Sequence, residues 1–224
     1  MSAFPLYPDY MNRTHEAAHH SAPNHAVNSA ANGTDSLAAL RAATDSRHQQ
    51  LDSGLPIGAA DATLDDYAHH LRMLRAWLAP LQAWLAGFDD GPRLDHAARL
   101  ALIEADLAEP GMPGAGNLPA TPAAPAAWPA HASPAWRWGV NYVIEGSQLG
   151  GAVLYARLAE RLAPHPLRYL KGDAAGPGPR WRAFMQGLRE HVRTPDEIAD
   201  ACAGACAAFD SILAAGQHLG RQRT

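Results

Sequence analysis

The sequence predicts an all-α protein built as one multi-helical domain of six or seven helices. Three observations predict this. Apolar residues recur along the chain at spacings of three and four, the period of a helix with one buried face. Helix-start signatures precede those stretches: Asp35-Ser36, Thr63 with Asp66, Ser133-Pro134, and Thr194-Pro195 with Glu197. No stretch shows the period-two alternation of a half-buried strand. At 224 residues and 47% hydrophobic, the chain can bury one substantial core.

Residues 1–33 are polar, rich in Ala, Asn and His, and without periodicity, which predicts a disordered N-terminal tail. The domain then occupies 34–224. Its first helix begins near Thr34-Asp35-Ser36, any of which can cap it. Leu37, Leu40, Thr44, His48 and Leu51 form one stripe along it, and Gly54 and Pro56 end it. Thr63-Leu-Asp-Asp66 resembles a capping box with Asp in place of Glu, and opens a helix expected to reach residue 88. Tyr67, Leu71, Leu74, Leu78, Leu81 and Leu85 form its stripe, flanked by Trp77 and Trp84. His69 and His70 are adjacent, point in different directions, and are expected at the surface.

Gly87, Gly91 and Pro92 break the chain before a third helix over about 94–107. Residues 109–133 are a Pro/Ala/Gly stretch; seven of the eighteen prolines fall between Pro110 and Pro134, so no regular element fits. The flanking segments are too small to be separate domains, so the stretch is expected to be a surface loop. Ser133 as cap and Pro134 at the first helical position open a long helix that runs to about 162, where Pro164 and Pro166 end it. A loop over 172–179 follows. Trp181, Phe184, Leu188 and Val192 mark a short amphipathic helix, and Thr194-Pro-Asp-Glu197 starts a last helix reaching about Leu219.

The net charge of -4 shows no basic excess, which disfavours nucleic acid as a partner. No signal peptide is legible and no run reads as apolar enough to span a bilayer, so a cytoplasmic protein is expected. Cys202 and Cys206 lie one helical turn apart. Two cysteines are too few for a disulfide framework, a zinc site or an iron–sulfur cluster, and they read as part of a small-residue core face.

The most informative stretch lies inside the long helix. Gly146, Gly150 and Gly151 fall within six positions, and each glycine in a helix interior costs roughly 1 kcal/mol against alanine. Gly146 and Gly150 share a face that is bare backbone. Tight packing against another helix explains such a face; so does a flat ligand lying close to it. His48, alone on the stripe of the first helix, likewise has two readings, a core histidine or an axial metal ligand. A flat metal macrocycle between the two helices would use both features. Arg41, two turns before His48 and about 10 Å along the helix, would then pair with a carboxylate at its edge. Tyr142, one turn before Gly146, would donate its hydroxyl to another. Taken alone, Arg41 reads as a surface residue and Tyr142 as a core aromatic.

Two motifs carry a family resemblance. Leu40-Arg-Ala-Ala-Thr-Asp-Ser-Arg-His48 resembles the proximal-helix pattern of haem oxygenases, L-K/R-x-x-T-x-x-x-H. Gly139-Val-Asn-Tyr-Val-Ile-Glu-Gly-Ser-Gln-Leu-Gly-Gly151 resembles the distal-helix motif of the bacterial, biliverdin-producing branch, which includes the bacteriophytochrome-associated enzymes. Trp181-Arg-Ala-Phe184 and Thr194-Pro195 match that branch further on.

The resemblance implies haem as substrate and cofactor, sandwiched between a proximal and a distal helix, and opened with O2 and external electrons to biliverdin, CO and ferrous iron. It implies His48 as the axial iron ligand, and Arg41 and Tyr142, with Gly151, as haem-binding positions. Gly146, Gly150 and Ser147 form the expected catalytic set. Animal enzymes carry aspartate where this chain has Ser147, so the Ser147 hydroxyl and backbone carbonyls become the candidates for holding distal water. Glu145 matches the motif and is assigned no catalytic role. No dinucleotide, flavin or cluster signature is present in the sequence, so ferredoxin or a flavoprotein reductase is the expected electron donor, and a bacteriophytochrome a possible bilin acceptor. Two alternatives stay open: a haem carrier or sensor on the same scaffold without turnover, and a thiaminase-like hydrolase with a cysteine nucleophile near an acidic pair.

Overall fold

The computed structural model describes residues 35–92, 94–114 and 128–221; the expected tail at 1–33 and residues 115–127 of the expected loop lie outside them. The described residues form seven α-helices and no strand. They are α1 (Ser36–Gly54), α2 (Leu64–Leu85), α3 (Ala97–Leu107), α4 (Pro134–Leu158), α5 (Arg168–Lys171), α6 (Gly178–His191) and α7 (Pro195–Arg221), with a single 3-10 turn at Pro56–Gly58.

Local chemistry starts α1, α2, α4 and α7 where the sequence indicates. The Asp35 carboxylate accepts from the Leu37 amide at 3.1 Å. Thr63 and Asp66 close a reciprocal capping box, with Thr63 N–H donating to Asp66 at 2.9 Å and Asp66 N–H to the Thr63 hydroxyl at 3.3 Å. The Ser133 hydroxyl accepts from Trp136 N–H at 3.0 Å, ahead of Pro134. Glu197 accepts from Thr194 N–H at 2.9 Å, and the Thr194 hydroxyl from Glu197 N–H at 3.2 Å. Each cap satisfies amides that a helix start leaves without intrahelical partners. Boundaries differ by a few residues: α2 stops at Leu85, α3 begins at Ala97 and α4 stops at Leu158.

The core centres on α7 lying along α4, with α1 and α2 closing over it. α7 departs from expectation in one respect. Its mean hydropathy reaches 1.5 over an 18-residue window, enough by length and composition to cross a membrane. Ile198, Ala201, Ala205, Ala208, Phe209 and Ile212 are instead buried in the protein core, so the apolar face of α7 packs as a core helix.

Close helix packing is carried by Gly139 of α4 and Gly204 of α7. A Cβ at Gly139 would overlap the Ala201 carbonyl, and one at Gly204 the Trp136 carbonyl. These are backbone atoms of the facing helix, so relief requires the helices to part. Gly139→Ala or Gly204→Ala is expected to lower unfolding free energy by about 3 kcal/mol or more, measured by chemical denaturation.

α5 is a four-residue helix with no counterpart among the sequence expectations. It is built by Asp106, fully buried at the end of α3. Asp106 accepts from Arg168 N–H at 3.1 Å and Tyr169 N–H at 2.9 Å, capping α5 from 62 residues away, and from the Tyr67 hydroxyl at 2.6 Å. The arrangement ties α2, α3 and α5 together and fixes where Tyr169 points its ring.

Candidate functional site

A cavity of about 330 Å³ lies between α1, α2, α4, α5 and α7, at the lower end of the range for ligand sites, roughly 300–1,000 Å³. α1 contributes Arg41, Thr44 and His48, and α4 contributes Tyr142, Gly146, Ser147, Gly150 and Gly151. Thus every candidate site residue lines one cavity, although the two motifs stand about a hundred positions apart in the chain.

His48 is half-buried and is oriented by two neighbours. Its Nδ1 lies 3.2 Å from the Asp52 carboxylate, one turn on along α1, and its ring meets Phe209 of α7 edge-on at 5.8 Å. With Asp52 accepting an Nδ1 proton, Nε2 is the nitrogen that carries the lone pair, the tautomer a metal ligand needs. The sequence reading passed over Asp52, although the i, i+4 spacing behind a histidine is a legible signal.

Arg41 and Tyr142 meet across the cavity rim. Burial pushes the Tyr142 hydroxyl above its ordinary range, while the adjacent Arg41 guanidinium, hydrogen-bonded to it, pulls the other way. The two therefore present a cation and a phenol side by side, suited to a carboxylate. Further along α4, the Ser147 hydroxyl donates to the Ile144 carbonyl at 2.8 Å. Tyr169, buried, accepts from the Gln148 side chain at 2.8 Å and is hydrogen-bonded to Ser147 as well. The proton of Ser147 is thus committed within α4, leaving its oxygen as an acceptor. Tyr169 joins the site although the sequence reading did not name it.

His70 corrects the expectation that both α2 histidines lie at the surface. It is buried, lines the cavity, and its Nδ1 has no hydrogen-bond partner. Burial, with a smaller contribution from neighbouring His69, pushes its pKa down to about 4, so the ring is neutral near pH 7. An unsatisfied buried polar group of this kind costs about 1–3 kcal/mol. Adjacent residues on a helix point about 100° apart, which forbids both rings from sharing a site but lets one of them enter it.

Glu145 lies away from the cavity and is structural. It is almost fully buried and receives Arg99 of α3 at 2.7 Å and Arg180 of α6 at 2.8 and 2.9 Å, with His96 at 3.8 Å. Burial alone would push its carboxyl up; the hydrogen bonds and charges of Arg180 and Arg99 outweigh this and hold it below the ordinary value. Removing it strands a buried Arg99, so Glu145→Ala is expected to cost about 3–5 kcal/mol. A depressed folded value means that this stabilisation is complete above the unfolded glutamate value near ~4.3 and is lost as pH falls through the lower folded value. Acid unfolding followed by circular dichroism checks it: wild type should show that acid loss, and Glu145→Gln should start less stable and lack its contribution.

The cavity tests two ligand classes. Among the described residues no group of three His, Cys, Asp or Glu side chains could hold a metal ion. His48 supplies one nitrogen, so a metal here must bring its other ligands with it, as a macrocycle does. The flat glycine wall, the mainly apolar lining and the Arg41–Tyr142 pair fit a planar ring bearing carboxylates. A cysteine nucleophile does not fit. The Cys206 thiol donates to the Ala43 carbonyl at 3.3 Å, burial and adjacent Cys206 push the Cys202 thiol up, and neither lines the cavity.

Comparison with known proteins agrees with this geometry. No protein-family model matches the chain. The Heme oxygenase of Xanthomonas campestris pv. campestris (strain 8004) is 34% identical over 163 residues, spanning 68% of this chain and 90% of that protein. The NO- and CO-bound Heme Oxygenase from Neisseria meningitidis shares the fold with a TM-score of 0.61 at 23% identity, over 83% of this chain and 92% of that one. The chain is an enzyme of the haem oxygenase family.

Proposed function

We propose that this chain binds haem in the cavity between α1 and α4 and opens it to biliverdin, with release of CO and ferrous iron. The observation that carries the reading is the single cavity joining His48 to Gly146, Ser147, Gly150 and Gly151. Haem supplies the iron that activates O2 and is itself the ring that is opened. The chain's residues do the rest. His48 would hold the iron through Nε2, with Asp52 keeping the proton on Nδ1 and the ring in place. Arg41 and Tyr142 would hold a propionate and so orient the macrocycle. Gly146, Gly150 and Gly151 would let the backbone of α4 approach the ring closely, with room beside it for a small ligand. Ser147, its own proton given to Ile144, accepts a hydrogen bond from distal water. The apolar walls from Met73, Leu74, Trp77, Leu154 and Ile212 exclude bulk water, which strengthens each polar contact inside.

Electrons come from an external donor, a ferredoxin or flavoprotein reductase. A cytoplasmic location and supply of bilin to a bacteriophytochrome complete the reading and rest on family resemblance. Purified protein given haem, a reductant and O2 is expected to lose the haem bands and gain verdin absorption; haem that survives many reducing cycles intact overturns the proposal. Asp52→Ala is expected to weaken haem binding or turnover by about 10–100-fold, the usual worth of a ligand-orienting carboxylate, as measured by haem titration and initial rate.

A further inference from the structure

Most polar side chains around the cavity have a partner within the protein. Thr44 donates to the Leu40 carbonyl at 2.8 Å, Asp52 receives His48, Ser147 donates to Ile144, and Tyr169 is held by Gln148 and Ser147. Trp77, on the same wall as His70, donates to the Ala208 carbonyl at 3.2 Å and Ser211 at 3.0 Å. His70 differs. It is 8% exposed, and its Nδ1 is buried with no partner while the ring borders the cavity. An unsatisfied buried group calls for an explanation, and beside a cavity a bound ligand or ordered water supplies one.

The position of His70 indicates which wall it serves. Tyr67, one turn earlier on α2, is bonded to Asp106, and Asp106 also holds the backbone of Tyr169, whose hydroxyl meets Ser147 and Gln148 of α4. Trp77, two turns later, is bonded to the α7 segment that carries Phe209, the ring packed on His48. His70 thus stands on α2 one turn from a residue tied to the Tyr169–Ser147 side and two turns from one tied to the segment that packs on His48.

We propose that His70 is a positioning residue for the small ligand bound beside the glycine wall: its ring hydrogen-bonds water, O2 or a small anion on the face of haem opposite His48. The ring is neutral near pH 7, so it offers one donor and one acceptor and can serve a bound oxygen or an ordered water equally. The inference rests on the haem-binding reading and adds a distal contact that neither motif contains.

The test uses the full chain with His70→Leu, which removes both nitrogens at similar volume, and His70→Gln, which restores a donor. Azide is titrated into the ferric haem complex, and the C–O stretch is recorded in the ferrous CO complex. His70→Leu is expected to weaken azide about tenfold, which is the loss of one hydrogen bond of about 1.4 kcal/mol. It is also expected to raise the C–O stretch, since bound CO loses a donor, and His70→Gln to recover part of both. Thermal unfolding of the haem-free protein supplies a readout independent of the ligand: His70→Leu should unfold at the wild-type temperature or higher, because an unsatisfied group has been removed.

Unchanged azide affinity and C–O stretch in His70→Leu overturn the proposal. So does a lower unfolding temperature with no ligand effect, which marks a core histidine. A low-spin bis-histidine spectrum that disappears in His70→Leu also overturns it, in favour of direct ligation. A wild-type chain that takes up no haem defeats the haem reading itself, whereas a chain that takes up haem and ignores His70 defeats this inference alone.

Discussion

His48→Ala is expected to weaken haem binding by at least about 100-fold, roughly 2.7 kcal/mol, and to abolish verdin formation. The expectation follows from the donor set of the cavity. Among the described residues no metal-binding group of three side chains is present, and His48 is the histidine whose ring is held from both sides, by Asp52 at 3.2 Å and by Phe209. On the proposed reading, removing the imidazole would remove the iron–nitrogen bond and the anchor that orients the macrocycle. Exogenous imidazole should restore part of the spectrum, because the space left on α1 has the shape of the missing ring. Absorption spectroscopy of the ferric and ferrous-CO complexes checks both points. An unchanged spectrum in the variant would remove His48 from the site.

Gly150→Leu is expected to separate catalysis from stability. Leucine is a strong helix former, whereas glycine costs about 0.8–1.0 kcal/mol against alanine, so the variant should unfold no more easily than wild type. Its side chain projects from the α4 wall that borders the cavity and fills the space that O2 and distal water would use. Verdin formation should fall by more than about 100-fold, at least 2.7 kcal/mol in the barrier. A carrier or sensor would tolerate this filling; an oxygenase would not. Rates of verdin and CO production, taken with thermal unfolding of the same sample, distinguish the outcomes.

Both effects concern residues that were legible from the sequence, because the signals were local and chemically costly. Glycines in a helix interior and a solitary histidine on an apolar stripe each ask for a reason, and the two sets of residues line one cavity. The caps at Asp35, Thr63, Ser133 and Thr194 were legible for the same reason: donor and acceptor lie within four residues of each other.

What was not legible depends on partners far away in the chain. α5 exists because Asp106 caps it from α3, and nothing in Arg168–Lys171 announces that. The tight helix crossing at Gly139 and Gly204 was not singled out, because the facing carbonyls come from the other helix. His70 was placed at the surface by a correct premise taken too far: neighbouring histidines cannot share a site, yet one of them can be buried. The composition of α7 likewise hid its apolar character among small residues, which read as a core face but sum to a membrane-like hydropathy.

Haem is expected in the cavity between His48 and the glycine wall of α4. The most direct measurement is a crystal structure of the ferric haem complex. It should place the iron on Nε2 of His48, a propionate at Arg41 and Tyr142, and the opposite face of the ring against Gly146 and Gly150. Iron ligated by another residue, or haem bound outside this cavity, would contradict it.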